Sequence, residues 1–434
     1  MSASLVGSEM CIRDRSYKSE RTKRFCISRG NRNILFGTWS DKQYIRYNRK
    51  LGSGKLKSMR IRTAFFIFCI SLLSGACRQV ATESRVQPVS FEDGSSMIAD
   101  TVFLDSLSLF MPETNEEALI NNIDRVCESN GRYFILDKRM KQVLCYTLSG
   151  KHLFTIHAVG NGKGEYVDLF DIAIDEAENK LLLLTYPSQI LYYDLEGTYL
   201  SSYPLDDMYQ SFAVDKGFIY LRNDTYANGV VSDYSLIVIN KETGKQTSLL
   251  EPLYETAPFC SFGNYQITNT ASVLFTRKFD NYIYRITGES IEPLYMVDWK
   301  SKAFPESDKQ RQFQCNDLNQ FCYQGKYIYT MIDLCDTPSC LLFRTNQPGV
   351  CLLSKATGTV NNYQVIINTD YQLPLPNYMP VDGKQSRIFF IYSSEVLCEQ
   401  KRLSAEEGIN EKMRCLLDRI KEGDNPVVFT YHVK

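Results

Sequence analysis

The sequence predicts an all-β fold, specifically a six-bladed β-propeller with one C-terminal amphipathic helix. Short runs that alternate apolar and polar residues recur along the chain and are separated by turns rich in Gly, Asn and Asp. Groups of about four such runs return every ~40–50 residues, which is typical of propeller repeats. About six such units fit between residues 96 and 434. Two ordinary β-domains are the alternative architecture.

The individual strands are clearest in the first half of the chain. Each unit has the order strand, turn, strand, turn, strand, and stacking of the units in a ring would bury their apolar faces. Boundaries between units are less distinct from residue 205 to residue 370. The clearest predicted strands are Arg132–Asp137, Gln142–Tyr146, His152–Ile156, Lys180–Leu184, Gln189–Asp194 and Tyr199–Tyr203.

Residues 404–421 are predicted to form the C-terminal helix. Ser404 and Glu407 have the spacing of a capping box, and apolar residues follow at helical spacing. An amphipathic helix of this kind normally covers the core of its own domain, although binding to a partner is the alternative. The following run, Val427–Tyr431, is predicted to be a strand that closes the ring beside Thr101–Leu104.

An export signal is predicted over residues 59–76. A basic start at Met59–Arg62 is followed by an apolar run of about ten residues and by the small residues Ser74, Gly75 and Ala76. A spanning helix, the alternative, would need about 20 apolar residues. Because Cys77 follows the small residues directly, the segment resembles a bacterial lipoprotein signal, with Cys77 as the lipidation site. Residues 77–95 would then be a polar tether and residues 96–434 the propeller.

Residues 1–58 precede this signal and are predicted to be a non-native upstream extension. The stretch from Leu5 to Asp14 resembles the conceptual translation of a sequencing-library adapter. The alternative is a basic disordered arm. Without residues 1–76, the chain has 33 Lys/Arg and 46 Asp/Glu, a net charge of −13. An acidic chain repels phosphate backbones, so nucleic acid is not an expected partner.

Ten cysteines follow Cys77, and an even number in an exported protein permits disulfides. Cys335 and Cys340 flank a loop that contains Pro338 and are the predicted pair. Several others lie inside strand-like runs, where Cys serves as a small buried apolar residue. There is no Cys-x-x-Cys spacing and there are three histidines, so a zinc site is not indicated.

A glycine-rich link at Val159–Tyr166 and the ending Asp424–Tyr431 carry a resemblance to a known family. Both are similar to segments of the six-bladed β-propeller lipoproteins of Bacteroidota, which are related to NHL and TolB-like propellers. Lys163 stands where that family often has Pro. The resemblance implies a propeller fold and an exported, lipid-anchored location, and it brings no established reaction.

Two constellations near this link are candidates for chemistry. Gly160, Gly162 and Gly164 could form a phosphate loop, but a strand-like run rather than a helix follows, so a tight turn between blades that also includes Glu165 is the expectation. Glu165, Asp168 and Asp171 are candidate ligands for Ca²⁺, which prefers oxygen ligands. Asp175, in a hairpin, is expected to accept hydrogen bonds from its own backbone.

The leading functional hypothesis is a binding or scaffold protein of the cell envelope, anchored by lipid, with the outer membrane as its expected location. It has no supported catalytic residue and no required cofactor. A glycan, a peptide or an envelope protein would occupy the propeller loops and channel. The alternative is a lactonase-like hydrolase that uses a metal held by channel carboxylates. A third hypothesis is a subunit of an outer-membrane assembly that presents an exposed aromatic patch.

Overall fold

The computed structural model describes residues 86–434 with the exception of residues 93, 95, 224–233, 252, 254–265, 271, 310, 312, 314–316, 384–385 and 404–408. The predictions for residues 1–58, for the signal at 59–76 and for Cys77 lie outside the described residues. In the described part of the chain, none of the helices has the length and apolar character that crossing a bilayer requires.

The described residues are mainly β-strands joined by short turns. In chain order the strands are β1 (Gln87–Glu92), β2 (Met97–Ala99), β3 (Leu104–Phe110), β4 (Arg125–Ser129), β5 (Arg132–Asp137), β6 (Gln142–Thr147), β7 (His152–Ile156), β8 (Asp168–Asp175), β9 (Lys180–Tyr186), β10 (Gln189–Asp194), β11 (Tyr199–Pro204), β12 (Ser211–Val214), β13 (Phe218–Arg222), β14 (Leu236–Asn240), β15 (Gln246–Leu249), β16 (Ile267–Asn269), β17 (Val273–Phe275), β18 (Tyr282–Thr287), β19 (Ser290–Asp298), β20 (Met331–Asp336), β21 (Cys340–Thr345), β22 (Val350–Ser354), β23 (Thr359–Tyr363), β24 (Val365–Asn368), β25 (Leu373–Leu375), β26 (Tyr378–Asp382), β27 (Arg387–Tyr392) and β28 (Val427–Val433). The α-helices are α1 (Asp317–Gly325), α2 (Ser394–Leu403) and α3 (Glu411–Leu417).

Most strands belong to antiparallel sets of four consecutive strands: β4–β7, β8–β11, β12–β15, β16–β19 and β20–β23. A further set combines β26, β27 and β28 with the early strand β3. The first strands of the sets contact one another in the cyclic order β4, β8, β12, β16, β20, β26 and back to β4, and β16 also contacts β26. A ring of first strands around a central axis is the arrangement of a propeller-like β fold.

The core lies between neighbouring sets, where apolar faces of adjacent sheets meet. For example, Phe134 and Cys145 of one set pack with Ile172 and Leu183 of the next, and all four are fully buried. The strands are apolar on both faces, and because successive side chains point to opposite faces of a sheet, each strand packs against two neighbouring sets: in β5, Phe134 faces one cluster and Ile135 the other. The clear predicted strands between residues 132 and 203 are therefore confirmed to within one or two residues.

The prediction that the C-terminal strand pairs with an early strand was correct, but the predicted residues of that early strand were wrong. β28 pairs antiparallel with β3, from Val428 opposite Phe110 to Val433 opposite Leu104. Thr101–Leu104 is not the partner strand, because Asp100–Val102 form a 3-10 turn instead. The buried Asp100 carboxylate stabilises that turn by accepting the Thr101 N–H at 2.9 Å.

The prediction of one helix over 404–421 was wrong in its bounds. Ser404 and Glu407 lie outside the described residues, and α3 begins only at Glu411, where the Asn410 side chain caps it by accepting the Met413 N–H at 2.8 Å. A good N-cap fixes the helix start at this point. α2 precedes it and was not predicted. The expected buried face is nevertheless present: Met413, Leu416 and Leu417 join the apolar core.

The predicted tether at 77–95 extends too far, because Gln87–Glu92 form β1. Val89 and Phe91 alternate with more exposed residues, and both are buried. β1 lies between β19 and β23 and pairs in parallel with each, which joins two sets into one nine-stranded sheet.

Candidate functional site

A buried group of three charged side chains occupies the axis where the first strands meet. We call Arg125, Asp171 and Asp382 the axial triad. The Arg125 guanidinium donates through Nε to Asp382 Oδ2 at 2.8 Å and through Nη1 to Asp171 Oδ2 at 3.2 Å. It also donates to the Ile267 carbonyl at 3.3 Å. The triad therefore links strands from four of the sets.

The topology explains why carboxylates lie at this position. A first strand has a sheet neighbour on its outer side, while its inner edge presents backbone groups to the axis. Asp171 satisfies two of these groups, since it accepts the N–H of Phe212 at 2.9 Å and the N–H of Ile172 at 3.0 Å. The backbone of Asn269 lies near Asp382 and acts to lower the pKa of that carboxyl. Buried polar groups require such partners.

Burial dominates the protonation behaviour of the triad. It raises the pKa of Asp382 to about 6, with the nearby Asp171 carboxylate acting in the same direction and Arg125 acting against it. Burial also raises the pKa of Asp171, and here Arg125 and then Lys138 oppose the effect. One guanidinium thus balances two carboxylates only in part.

Cys127 lies beside the triad and is fully buried. Burial raises its pKa well above the ordinary thiol value, and Asp382 adds to that rise. A neutral buried thiol is unreactive. Cys127 therefore forms part of the buried wall of the site.

A pocket of about 390 Å³ opens at the carboxyl ends of the first strands. We call it the channel-mouth pocket. Asp382 lines it and also lines a second cavity of about 10 Å³, which Asp124, Thr268 and Asp333 border. The smaller cavity has room for a single water molecule. Asp382 thus lies between the pocket and the interior of the channel.

The walls of the channel-mouth pocket combine small apolar and polar side chains. Ala173, Ala177 and Val214 contribute methyl groups, and Asn269 and Thr270 contribute an amide and a hydroxyl group. The Asn269 amide is held in place because it donates to the Val214 carbonyl at 2.7 Å. This mixture suits a ligand that has both hydrophobic faces and hydrogen-bonding groups.

The rim carries more acidic than basic groups. Glu128, Glu176, Asp215 and Lys216 lie around the opening. Glu128 pairs with Arg387 at 2.9 Å, so its charge is offset. Asp215 accepts two backbone N–H groups of its own hairpin and the Tyr220 hydroxyl at 2.6 Å. The rim is therefore a polar surface on which the carboxylates of Glu128 and Asp215 already have partners within the protein.

The predicted carboxylates do not converge. The Glu165 carboxylate accepts the Gly162 N–H at 2.7 Å inside the glycine-rich loop, and Asp168 accepts the Leu169 N–H at 3.0 Å at the start of β8. Only Asp171 reaches the axis. Within the described residues, no three Asp, Glu, His or Cys side chains are grouped in a way that could hold a metal ion.

The glycine-rich loop forms a turn between two sets. Gly164 has a φ of +81°, and a Cβ there would lie 3.0 Å from the Tyr199 ring. At Gly160 a Cβ would meet the Glu165 carboxylate at 2.0 Å, so a larger residue there would displace that side chain, whereas the positive φ at Gly164 requires glycine. Asp175 accepts the N–H groups of Ala177 and Glu178 as expected, and its other oxygen pairs with Lys241 at 2.5 Å.

The predicted disulfide between Cys335 and Cys340 is not formed in the structure, where both residues are buried free thiols. The strand register explains this. Cys335 lies opposite Leu342, so that Cys340 is its diagonal neighbour. Diagonal side chains are about 7–8 Å apart, beyond the reach of a disulfide.

Sequence reasoning missed Arg125 and Asp382. Each is a charged residue beside apolar residues of a short strand, within Asp124-Arg125-Val126 and Val381-Asp382-Gly383. A buried charge needs a partner, and such an embedded charge is the available signal. The sequence alone does not reveal that two residues 257 positions apart are partners.

Comparison with solved structures supports the fold. The chain is similar to an exported protein of Bacteroides fragilis, with a TM-score of 0.65 and 18% identity over 80% of this chain and 100% of that one. A member of the DUF4221 family from Bacteroides vulgatus gives a TM-score of 0.41 and 9% identity over 76% of this chain and 97% of that one. Virginiamycin B lyase from Staphylococcus aureus gives 0.37 and 13% over 66% and 81%. The last two are too distant to bear on function.

No curated protein matches the chain. A family model described as a domain of unknown function, DUF4934, matches residues 92–432, which include nearly all the described strands and the whole axial triad. The chain therefore belongs to the DUF4934 family.

Proposed function

We propose that this chain is a cell-envelope lipoprotein whose domain is a six-bladed propeller that binds a ligand at the channel-mouth pocket. Each four-stranded set would be one blade, with β3 completing the blade of β26–β28. The cyclic contacts of the first strands support this arrangement. The signal-like segment that ends at Cys77, together with the similarity in fold to an exported protein of Bacteroides fragilis, supports export.

The observation that carries the binding proposal is the channel-mouth pocket itself. It has a volume of about 390 Å³, within the range of small-ligand sites, and it lies on the axis where loops from several sets converge. Its polar groups include Asp382 at the inner end and Asn269 and Thr270 on the wall. Its methyl groups come from Ala173, Ala177 and Val214.

A glycan or the end of a peptide fits this chemistry. Sugar rings have apolar faces and many hydroxyl groups, and they pair with amide, hydroxyl and carboxylate groups without requiring a strong opposite charge. Binding is favoured over metal-assisted hydrolysis because both Asp171 oxygens already accept protein hydrogen bonds. A metal there would have to displace Arg125 and two backbone groups.

The test uses protein that begins at residue 78, screened against glycans and peptides by thermal shift and then by titration calorimetry. Ala177 is exposed and lines the pocket, so Ala177→Trp should fill the mouth without altering the core. We expect at least a tenfold loss of affinity. Ser202→Trp, on the exposed outer strand β11, is the matched control and should bind normally. Equal binding by Ala177→Trp and wild type would refute the pocket as the site.

Membrane attachment through Cys77 has its own test. In cells that express residues 59–434, wild-type protein should fractionate with membranes and incorporate labelled fatty acid. Cys77→Ala should lose the label, whereas Cys69→Ala, inside the apolar run, should keep it. Labelling that persists in Cys77→Ala would place the lipid elsewhere and contradict the lipoprotein proposal.

A further inference from the structure

β1, the N-terminal strand of the described residues, lies in a slot between two of the four-stranded sets. β1 pairs in parallel with β19, from Gln87 opposite Tyr295 to Ser90 opposite Asp298. On its other side it pairs in parallel with β23, from Ser90 opposite Thr359 to Glu92 opposite Asn361. The Ser90 N–H also donates to the Gly358 carbonyl at 3.0 Å.

The slot has the two features of a strand-binding site. Its walls, β19 and β23, are the last strands of their sets, so without β1 each would present an unpaired edge. Its base is apolar. Val89 and Phe91 are 2% and 3% exposed and pack in a cluster with Trp299, Val297 and Phe343.

Phe91 is the main anchor. The centroid of its ring lies 5.3 Å from that of the Trp299 ring, and the Lys302 ammonium lies 4.8 Å from the centroid of the Phe91 ring. Burial of the Phe91 and Val89 side chains in the slot stabilises the bound strand. The strand hydrogen bonds orient these side chains, and alternate residues give the slot its sequence preference.

No hairpin ties β1 to either neighbour. Its partners on β19 and β23 are more than 200 residues away along the chain, and parallel pairing excludes a tight turn between them. The contacts that hold β1 are therefore of the kind that a separate chain can make equally well. Exchange of an identical element between two copies conserves every such contact.

We propose that the slot between β19 and β23 is a β-strand acceptor site, and that its partner in trans is the β1 strand of a second copy of this chain. The ligand it recognises is an extended peptide with the sequence of residues 86–92, anchored by apolar side chains at the positions of Val89 and Phe91. Two copies that exchange β1 form a dimer through this site.

The first experiment uses protein that begins at residue 93 and a synthetic peptide of residues 86–92. The whole chain has two Trp residues, at 39 and 299, so Trp299 is the single fluorescent Trp of this protein and lies at the site. The peptide should change Trp299 fluorescence saturably and raise the melting temperature. A peptide with Val89→Asp and Phe91→Asp should do neither. Equal responses to both peptides would overturn the proposal.

A second experiment keeps β1 in place in case the shortened protein does not fold. Ser90 and Thr359 are register partners across the slot. Protein with Ser90→Cys and protein with Thr359→Cys are unfolded, mixed, refolded together at high concentration and oxidised. Exchange predicts a disulfide-linked dimer that joins residues 90 and 359. A mixture of Thr359→Cys with wild type should lack that link, since wild type retains Ser90.

The double variant Ser90→Cys/Thr359→Cys in one chain is the positive control and should form the link within the chain. If this control forms its link while the mixture yields only unlinked chains, β1 is not exchanged and the acceptor proposal is wrong. Both readouts are independent of any ligand at the channel-mouth pocket.

Discussion

The Nη2 atom of Arg125 lies 2.6 Å from Oδ2 of Asp382, although the two residues come from opposite ends of the described chain. β4 and β26, which carry them, are also paired in parallel, with Cys127 opposite Asp382. The ion pair and the strand pair therefore join the beginning and end of the ring at the same place. Loss of either charge would affect the stability of the domain and the floor of the channel-mouth pocket together.

Arg125→Met should be strongly destabilising, because it leaves Asp171 and Asp382 buried without their cation. Removal of one partner of a buried ion pair costs about 3–5 kcal/mol. The free energy of unfolding from urea titration measures this. Arg402→Met is the matched control: Arg402 pairs with Glu399 and Glu422 at the exposed surface, and its loss should cost less than about 1 kcal/mol. Similar losses in the two variants would contradict the role of the axial triad.

Asp382 should make stability depend on pH in an unusual direction. Its pKa is raised from 3.8 to about 6, chiefly by burial, so the folded protein keeps a proton that the unfolded chain releases. Its contribution to stability is therefore fully present below about pH 4 and is lost as the pH rises through about 6. At about 1.36 kcal/mol per pKa unit, the change is up to about 3 kcal/mol.

The measurement is the difference in unfolding free energy between wild type and Asp382→Asn at a series of pH values. The advantage of wild type should shrink by roughly 3 kcal/mol between pH 4 and pH 7. Asp105→Asn, at an exposed position of β3, is the control for general effects of charge. A difference that stays constant or grows with pH would show that Asp382 is not protonated in the folded state.

Asn425 should be a stabilising residue of the closing segment. It is buried; its Oδ1 accepts the Ile120 N–H at 2.8 Å, and its Nδ2 donates to the carbonyls of Glu113 and Ala118 at 2.8 and 2.6 Å. Asn425→Ala leaves these backbone groups without partners, so we expect a loss of about 3 kcal/mol. Asn121→Ala, at an exposed position in the segment between β3 and β4 that Asn425 contacts, should cost less than about 0.5 kcal/mol. Thermal and urea unfolding of the two variants would decide this.

The strands were predictable where an apolar run was bounded by marked turns. β5, β6, β9 and β10 are such runs, and turns containing Gly or Asn lie beside them at 130–131, 148–151, 176–179 and 195–198. β1 and β2 were missed because they are short and their pairing partners are remote along the chain. β4 pairs with the adjacent β5 and was missed because the charged residues Arg125 and Glu128 interrupt its apolar pattern. For β1 the two buried residues Val89 and Phe91 are the whole signal, and the polar residues around them indicated a tether.

The candidate site was less predictable than the fold. Asp171 was identified as a carboxylate near a blade junction. Glu165 and Asp168, however, accept hydrogen bonds from backbone N–H groups only one to three residues away in the sequence. Such local acceptors are common in turns and resemble ligand clusters when only the sequence is read. The partners of Asp171 come from β4 and β12, and only the ring topology brings those strands to it.

The thiols of Cys335 and Cys340 give a test of strand register. Both lie in one tryptic peptide, residues 327–344, which contains no other Cys, Lys or internal Arg. Burial raises the pKa of Cys335 far above that of an ordinary thiol, so we expect no alkylation of it in the native protein, whereas the exposed Cys415 should react. After unfolding without a reductant, the peptide should be recovered with both cysteines alkylated. Recovery of an unalkylated peptide two hydrogens lighter would show a disulfide, and the diagonal register of β20 and β21 would then be wrong, because that register keeps the two sulfur atoms too far apart to bond.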